Sequence, residues 1–322
     1  MRIIISRTDN IGDVILTLPL AGYLKKTFPD STIAFLGKEY TKSIISNCSN
    51  IDLFLNKSDV ISNPEILKEF KADTIVFAFP DKEVAKASKK AGIKNRIATS
   101  HRIFNWLYCN KLVGFSRKKS DLHEAQLNFK LLKGMNINHI PTLIEIKDYY
   151  GFPKAGQRST GKFKLVIHPK SKGSAREWPL SYYNQLIASL NPEEFEIYIT
   201  GTSEEGKLIK EKFPEIFSSG SVDMTGKFSL EELINFIMKC DGLLACSTGP
   251  LHIASALGKY ALGLYVPLRP LHPGRWAPIG EKSSAKTGTN NCNGCNPSDC
   301  NCIKSIQVHE VAEIIKGWNI RD

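Results

Sequence analysis

Short apolar runs alternate with amphipathic stretches along the whole chain, and that alternation predicts an α/β fold. Arg2–Ser6 reads as a short buried strand, with Ile3, Ile4 and Ile5 in an unbroken row. Asp13 to Phe28 then has helical periodicity through Val14, Leu18, Ala21 and Leu24, and Pro19 is expected to bend it. Thr32–Leu36 and Asp73–Phe79 read as further strands, with helix-like Thr41–Cys48 and Pro64–Phe70 between them. Ser120-Asp-Leu-His-Glu124 opens a long amphipathic helix that is expected to end near Lys133-Gly134. Residues 147–162 are rich in Asp, Tyr, Gly, Pro, Gln and Ser, and the domain boundary is placed there.

A second alternating series follows. It consists of strand Lys164–His168, helix Ser181–Leu190, strand Glu194–Thr200 and helix Glu204–Lys212. Ser229-Leu-Glu-Glu232 has the spacing of a capping box and opens a helix to Lys239. The apolar runs 242–246 and 260–266 flank Ser247-Thr248-Gly249-Pro250-Leu251-His252, and a last helix runs from Val308 to Trp318. Two such series predict two parallel sheets with helices on both faces, a domain of residues 1–150 and another of 160–322. Ligands of such sheets bind at the carboxyl ends of the strands, here expected to be a cleft between the domains.

The Ser247–His252 segment reads as strand, tight turn, helix. Ser247 or Thr248 is placed to cap the helix, Pro250 suits its first turn and Gly258 its exit. A helix entered this way points free N–H groups and a positive dipole end beyond the strand, which suits a diphosphate; an ordinary strand-helix-strand unit accounts for the segment about as well.

The 42% apolar and 23% charged content is that of a soluble globular protein, and no run approaches the length of a transmembrane helix. Met1-Arg-Ile-Ile-Ile5 turns polar too soon for a signal peptide, so a cytoplasmic location is expected. The net charge of +11 suggests a polyanionic partner: nucleic acid, an anionic membrane or a phosphorylated ligand. Basic clusters are short and lack interleaved aromatics, which speaks against nucleic acid. Four of the eight cysteines cluster at Cys292, Cys295, Cys300 and Cys302. Their spacing lacks the usual second C-x2-C of a zinc site, the cytoplasm disfavours disulfides, and the third reading, a loop with a structural role near the cleft, is the one expected.

Three loops carry candidate chemistry. The first, Ser6 to Val14, lacks the GxGxxG dinucleotide fingerprint; its Asp13, after Gly12, is either a helix cap or a catalytic carboxylate. The second, Ser174-Ala-Arg176-Glu177-Trp178-Pro179, is either a phosphate-reaching arm or a surface Arg beside a core Trp. The third, Thr200-Gly-Thr-Ser-Glu204-Glu205, offers carboxylates for ribose hydroxyls or for a helix dipole.

Taken in order, Ile11-Gly-Asp-Val-Ile-Leu-Thr-Leu-Pro19, Pro169…Arg176-Glu-Trp-Pro179, Asp223-Met-Thr-Gly226…Ser247-Thr-Gly-Pro-Leu-His252 and Gly274-Arg-Trp-Ala-Pro-Ile-Gly280 resemble the signatures of the lipopolysaccharide heptosyltransferase family. The resemblance spans nearly the whole chain. It implies a GT-B architecture: two Rossmann-like domains facing across a cleft, the N-terminal one for the acceptor and the C-terminal one for the nucleotide sugar. A final helix able to pack back on the N-terminal domain goes with it.

The resemblance also implies an inverting glycosyltransferase that needs no cofactor and no metal. Asp13 falls on the family's catalytic carboxylate. Arg176, Glu205 (with Glu204 one position off), Thr248, Gly249 and His252 fall on its donor-binding positions. His123 and Arg96 are candidates for the acceptor side, although a solvated helix start is the plainer account of His123. The implied donor is a nucleotide-diphosphate sugar such as ADP-heptose, and the implied acceptor a lipopolysaccharide or lipid-linked glycan. The basic surface would hold the enzyme on anionic membrane at the inner face of the inner membrane. Ser247 departs from the pattern, since many members carry Asp there, and Arg176 replaces a more usual Lys.

Overall fold

The computed structural model describes residues 1–153, 161–218, 220–289 and 300–320. The chain divides into two compact units, Met1–Pro153 and Lys154–Asp322. Unit 1 is built on β1 (Arg2–Ser6), β2 (Thr32–Gly37), β3 (Leu53–Asn56), β4 (Thr74–Phe77), β5 (Asn95–Thr99) and β6 (Lys111–Val113). All neighbours are parallel and the spatial order is β3-β2-β1-β4-β5-β6. Unit 2 holds β7 (Phe163–His168), β8 (Phe195–Ile199), β9 (Ser221–Asp223), β10 (Gly242–Cys246), β11 (Tyr260–Tyr265) and β12 (Ser283–Thr287). Its order, β12-β11-β10-β7-β8-β9, again parallel throughout, is the same 3-2-1-4-5-6 pattern read from the other edge. Each unit is therefore a doubly wound Rossmann-type sheet, and the order reverses beside its first strand, between β1 and β4 and between β7 and β10.

The unbroken apolar runs follow from this arrangement, because a parallel sheet covered by helices is buried on both faces. Ile3, Ile4 and Ile5 are all fully buried, as are Leu165, Val166 and Ile167 of β7. The long first helix expected from 13 to 28 is instead two, Ile11–Ile15 and Pro19–Thr27. Pro19 has no N–H to continue the first helix and opens the second, so the bend is a break. The helix expected after Ser120 is α-helical only over Glu124–Phe129 and then tightens into a 3₁₀ turn, Lys130–Met135. The last helix, Val308–Ile320, packs on helix Leu180–Ser189. It buries Val311, Ile315 and Trp318 in the core of unit 2, where the Trp318 ring stacks on Tyr260 at 5.2 Å.

Candidate functional site

In unit 1 the loop leaving β1 meets segments that follow β4 and β6. Arg7, only 3% exposed, stands one residue beyond β1 and organises the group. Its Nε donates to Asp9 Oδ1 at 2.6 Å, and its Nη2 donates to Asp9 Oδ2 at 2.9 Å and to Asp13 Oδ1. Its Nη1 faces Glu124 Oε1 at 3.2 Å, the Ala78 carbonyl at 3.2 Å and Asn128 Oδ1 at 3.3 Å. Arg117 closes the far side, donating to Glu124, to the Ala78 carbonyl and to Asn128 Oδ1. Asn128 in turn donates to the Leu16 carbonyl and Thr17 Oγ1, and Thr17 donates to the Asp13 carbonyl at 2.8 Å. Two guanidinium groups thus face three carboxylates.

Burial and this charge cluster together set the chemistry of Asp13, whose side chain is 13% exposed. Its carboxyl is raised from 3.8 to about 6: burial is the largest cause, Arg7 opposes it, and the negative charges of Asp9 and Glu124 add to the rise. Burial opposes the charge on Arg7, but Asp13, Asp9 and Glu124 more than compensate and hold it protonated. Asp13 is therefore not the cap of the first helix. Asn10 occupies that position, and Asp13 is the third residue of the helix, in its first turn, with Arg7 as its partner.

Of the two acceptor-side candidates, His123 adjoins this cluster and Arg96 lies away from it. His123 is 1% exposed rather than solvated. It caps helix Glu124–Phe129, its Nδ1 accepting from the Ala125 N–H at 3.2 Å, and so aims Glu124 at Arg7. Arg96 sits near the amino end of β5, away from the strand ends that carry Arg7, and its guanidinium is bonded to the carbonyls of Tyr108 and Ile93.

In unit 2 the expected donor residues follow the carboxyl ends of three adjacent strands. Arg176 lies after β7, Glu205 in helix Ser203–Lys212 after β8, and Thr248, Gly249 and His252 after β10. The loops after β7 and β10 touch, with Ser174 Oγ donating to the Ser247 carbonyl at 3.3 Å. Thr248 is extended and begins helix Gly249–Ala256, but its hydroxyl makes no capping bond, contrary to expectation. Thr248 Oγ1 and Arg176 Nε are both buried without a hydrogen-bond partner. Such atoms in a native fold call for an absent partner. Gly258 adopts φ +74°, as a helix exit requires.

A cavity of about 390 Å³ opens beside this loop cluster, lined by Lys170, Lys172, Glu177, Thr202, Glu204 and Glu205. Glu205, 5% exposed, caps its own helix by accepting from the Thr202 N–H at 2.8 Å. Glu177 holds the β7 loop, accepting from the Ser171 N–H at 2.8 Å and pairing with Lys170. Trp178 is 1% exposed and donates to the Ile306 carbonyl at 3.0 Å, so it is a core anchor for the loop that carries Arg176. Cys292 and Cys295 lie outside the described residues; Cys300 and Cys302 are buried. Among the described residues no group of three or more His, Cys, Asp or Glu is arranged to hold a metal.

Residues 84–304 match the profile of glycosyltransferase family 9 (heptosyltransferase). The chain belongs to this family. It is 28% identical over 301 residues to a Haemophilus influenzae protein named "Putative glycosyltransferase", covering 87% of this chain and 86% of that one. It is 22% identical over 293 residues to the lipopolysaccharide core heptosyltransferase OpsX of the same organism, covering 83% and 79%. Among solved structures, Escherichia coli ADP-heptose LPS heptosyltransferase II superposes with a TM-score of 0.78 at 14% identity, over 100% of this chain and 99% of that one. An E. coli heptosyltransferase solved with ADP gives 0.70 at 16% identity, over 99% and 100%. This family 9 chain thus has the GT-B fold and is a heptosyltransferase-like glycosyltransferase.

Sequence reasoning about this glycosyltransferase missed Arg7, Arg117 and Asn128, and also Lys170 and Lys172. A usable signal existed for Arg7: a cation directly after the first buried strand, with acids two and six residues on.

Proposed function

We propose that this glycosyltransferase is inverting and moves a heptose from ADP-heptose to the core of a lipopolysaccharide, with Asp13 as general base. One observation carries the base assignment: a carboxylate pushed up to about 6, held in the fork of Arg7 where the strand order of unit 1 reverses. A general base works best with a pKa near the working pH. Asp13 takes the proton of the acceptor hydroxyl as its oxygen bonds to the anomeric carbon. The bond from that carbon to the diphosphate oxygen breaks, and the nucleoside diphosphate leaves with the electron pair.

Unit 2 stabilises the departing charge. The N–H groups at the start of helix Gly249–Ala256 and the Thr248 hydroxyl bond the diphosphate, Arg176 adds a charge-assisted contact, and His252 backs the turn. Glu205 and Glu204 accept from the ribose. The titles of the E. coli structures, which name ADP-heptose and ADP, support the choice of donor. The names of the relatives support the acceptor. A lipid-linked acceptor puts the enzyme's work in the cytoplasm, on the inner face of the inner membrane.

Ser247, where the resemblance to the family implies Asp, favours a second reading in which the transferred sugar is not a heptose. A binding protein without turnover leaves the raised pKa of Asp13 without a use. Calorimetric titration with ADP, UDP, GDP and CDP tests the donor side. ADP is expected to bind at least tenfold more tightly than the others. Tighter binding of another diphosphate moves the reading to a different donor, and binding of none overturns it.

A further inference from the structure

The short helix Ile103–Tyr108, which follows β5, has its polarity inverted. Its one buried residue is the polar Asn105, whose Nδ2 donates to the Thr99 carbonyl at 2.8 Å and pins the helix to the end of β5. Ile103, Trp106 and Leu107, three and four residues apart and so on one face, are 86%, 66% and 60% exposed. The indole N–H of Trp106 reaches the Ser100 carbonyl at 3.0 Å, which leaves the apolar part of the ring outward.

Charge surrounds this face. Residues 84–120 contain ten Lys and Arg and no Asp or Glu, in a chain whose net charge is +11; Arg96 and Arg117 are engaged by backbone carbonyls and Glu124, which leaves eight of the ten. The neighbouring helix Lys82–Lys90 packs on Ile103–Tyr108 and exposes Lys82, Lys86, Lys89 and Lys90, which share one face. Lys89 joins the two helices, donating to the Leu107 carbonyl at 2.8 Å. Arg102 is exposed at the start of the apolar face. The basic residues are spread over several elements, so no single charge run announces them in the sequence.

We propose that this face docks on anionic lipid bilayer, with Ile103, Trp106 and Leu107 entering the headgroup region and the lysines meeting lipid phosphates. Apolar side chains with a Trp, rimmed by Lys and Arg, are what a membrane surface selects, and a nucleic acid or an acidic protein would not require the three exposed apolar groups. β5 lies two strands from β1, about 10 Å at ordinary strand spacing, and Ile103 follows the same carboxyl edge of the sheet that carries Arg7 and Asp13. The proposal extends the reading above, since a membrane held at this edge brings a lipid-linked acceptor to the base.

The test is flotation of the full-length protein with vesicles. Binding is expected to phosphatidylglycerol vesicles and not to phosphatidylcholine, and to weaken about fivefold for each lysine changed to Gln in Lys86→Gln and Lys90→Gln. The double variant Ile103→Ser/Leu107→Ser should lose at least tenfold in affinity while its thermal unfolding temperature stays at the parent value. Trp106 emission should shift to the blue on phosphatidylglycerol, and Trp106→Phe should abolish that shift while still binding. Equal binding to both lipids, no binding, or binding untouched by the double variant overturns the proposal. So does a concentration-dependent dimer in sedimentation that the double variant dissolves. Transfer to a soluble, lipid-free acceptor should be unchanged in the double variant. Lost flotation with intact transfer therefore tests docking alone, whereas failure of transfer with intact flotation touches only the enzymatic reading.

Discussion

Replacing Arg7 by Gln removes the countercharge that holds three carboxylates together. Arg117 still pairs with Glu124 in that variant, so the loss falls chiefly on Asp13 and Asp9. Stripping one partner from a buried pair costs about 3–5 kcal/mol, and the remaining Arg117 puts the expected loss near the lower end, about 3 kcal/mol at pH 7.5. The pH dependence carries the argument further. Asp13 has a folded pKa raised above its unfolded value, so between about 4 and about 6 the native state binds the proton more readily, and stability from this group rises as pH falls through that window. Without Arg7 the carboxyl rises further and the window extends upward, so the penalty of the substitution should shrink as pH falls from 7.5 to 5. Differential scanning calorimetry reads this directly. At roughly 2–4 °C per kcal/mol, the transition should fall by about 6–12 °C at pH 7.5 and by clearly less at pH 5. A fall below about 2 °C, or a penalty that grows at low pH, would refute the assignment of Arg7 as the buried countercharge.

Three further outcomes are expected. The acid limb of kcat/KM should be centred near pH 6, leaving about one-tenth of the plateau rate at pH 5; a limb near 4 would mean that Asp13 is unperturbed or not the base. Thr248→Val should leave the unfolding temperature of the free protein unchanged or raised, because the hydroxyl lost is buried and unbonded, yet weaken ADP about tenfold in calorimetry. Unchanged ADP affinity would remove Thr248 from the phosphate site. Arg176→Ala should lower kcat by about 10²-fold with a smaller loss of donor affinity, and an effect confined to affinity would show that its contact does not strengthen as the leaving group charges.

Apart from β5 (Asn-Arg-Ile-Ala-Thr), which has only two apolar residues and went unread, the inner strands were legible because a parallel sheet covered on both faces leaves long apolar runs, and β1, β7, β10 and β11 have them. The edge strands were not. β3 and β9 are four and three residues long, with Leu53 and Val222 more than 40% exposed, and β12, Ser-Ser-Ala-Lys-Thr, has little apolar side chain to announce it. Asp13, Arg176, Glu205 and Thr248 could be singled out because each lies in a loop or first helical turn that follows a strand. The partners that tune Asp13 could not: Glu124 lies 117 residues beyond Arg7 in the chain, and Asn128 121 residues beyond it. Only the fold brings them together. For the same reason His123 read as a solvated helix start, whereas capping from a buried position is what turns its neighbour Glu124 inward.

The central claim is that Asp13 serves the chemical step and the Thr248 turn serves the nucleotide. Asp13→Asn, compared with the parent in single-turnover transfer and in ADP calorimetry, separates the two in one variant. Transfer should fall by about 10²–10⁴-fold while the Kd for ADP stays within about twofold. Transfer at the parent rate, or a loss matched by an equal loss of ADP affinity, would contradict the account.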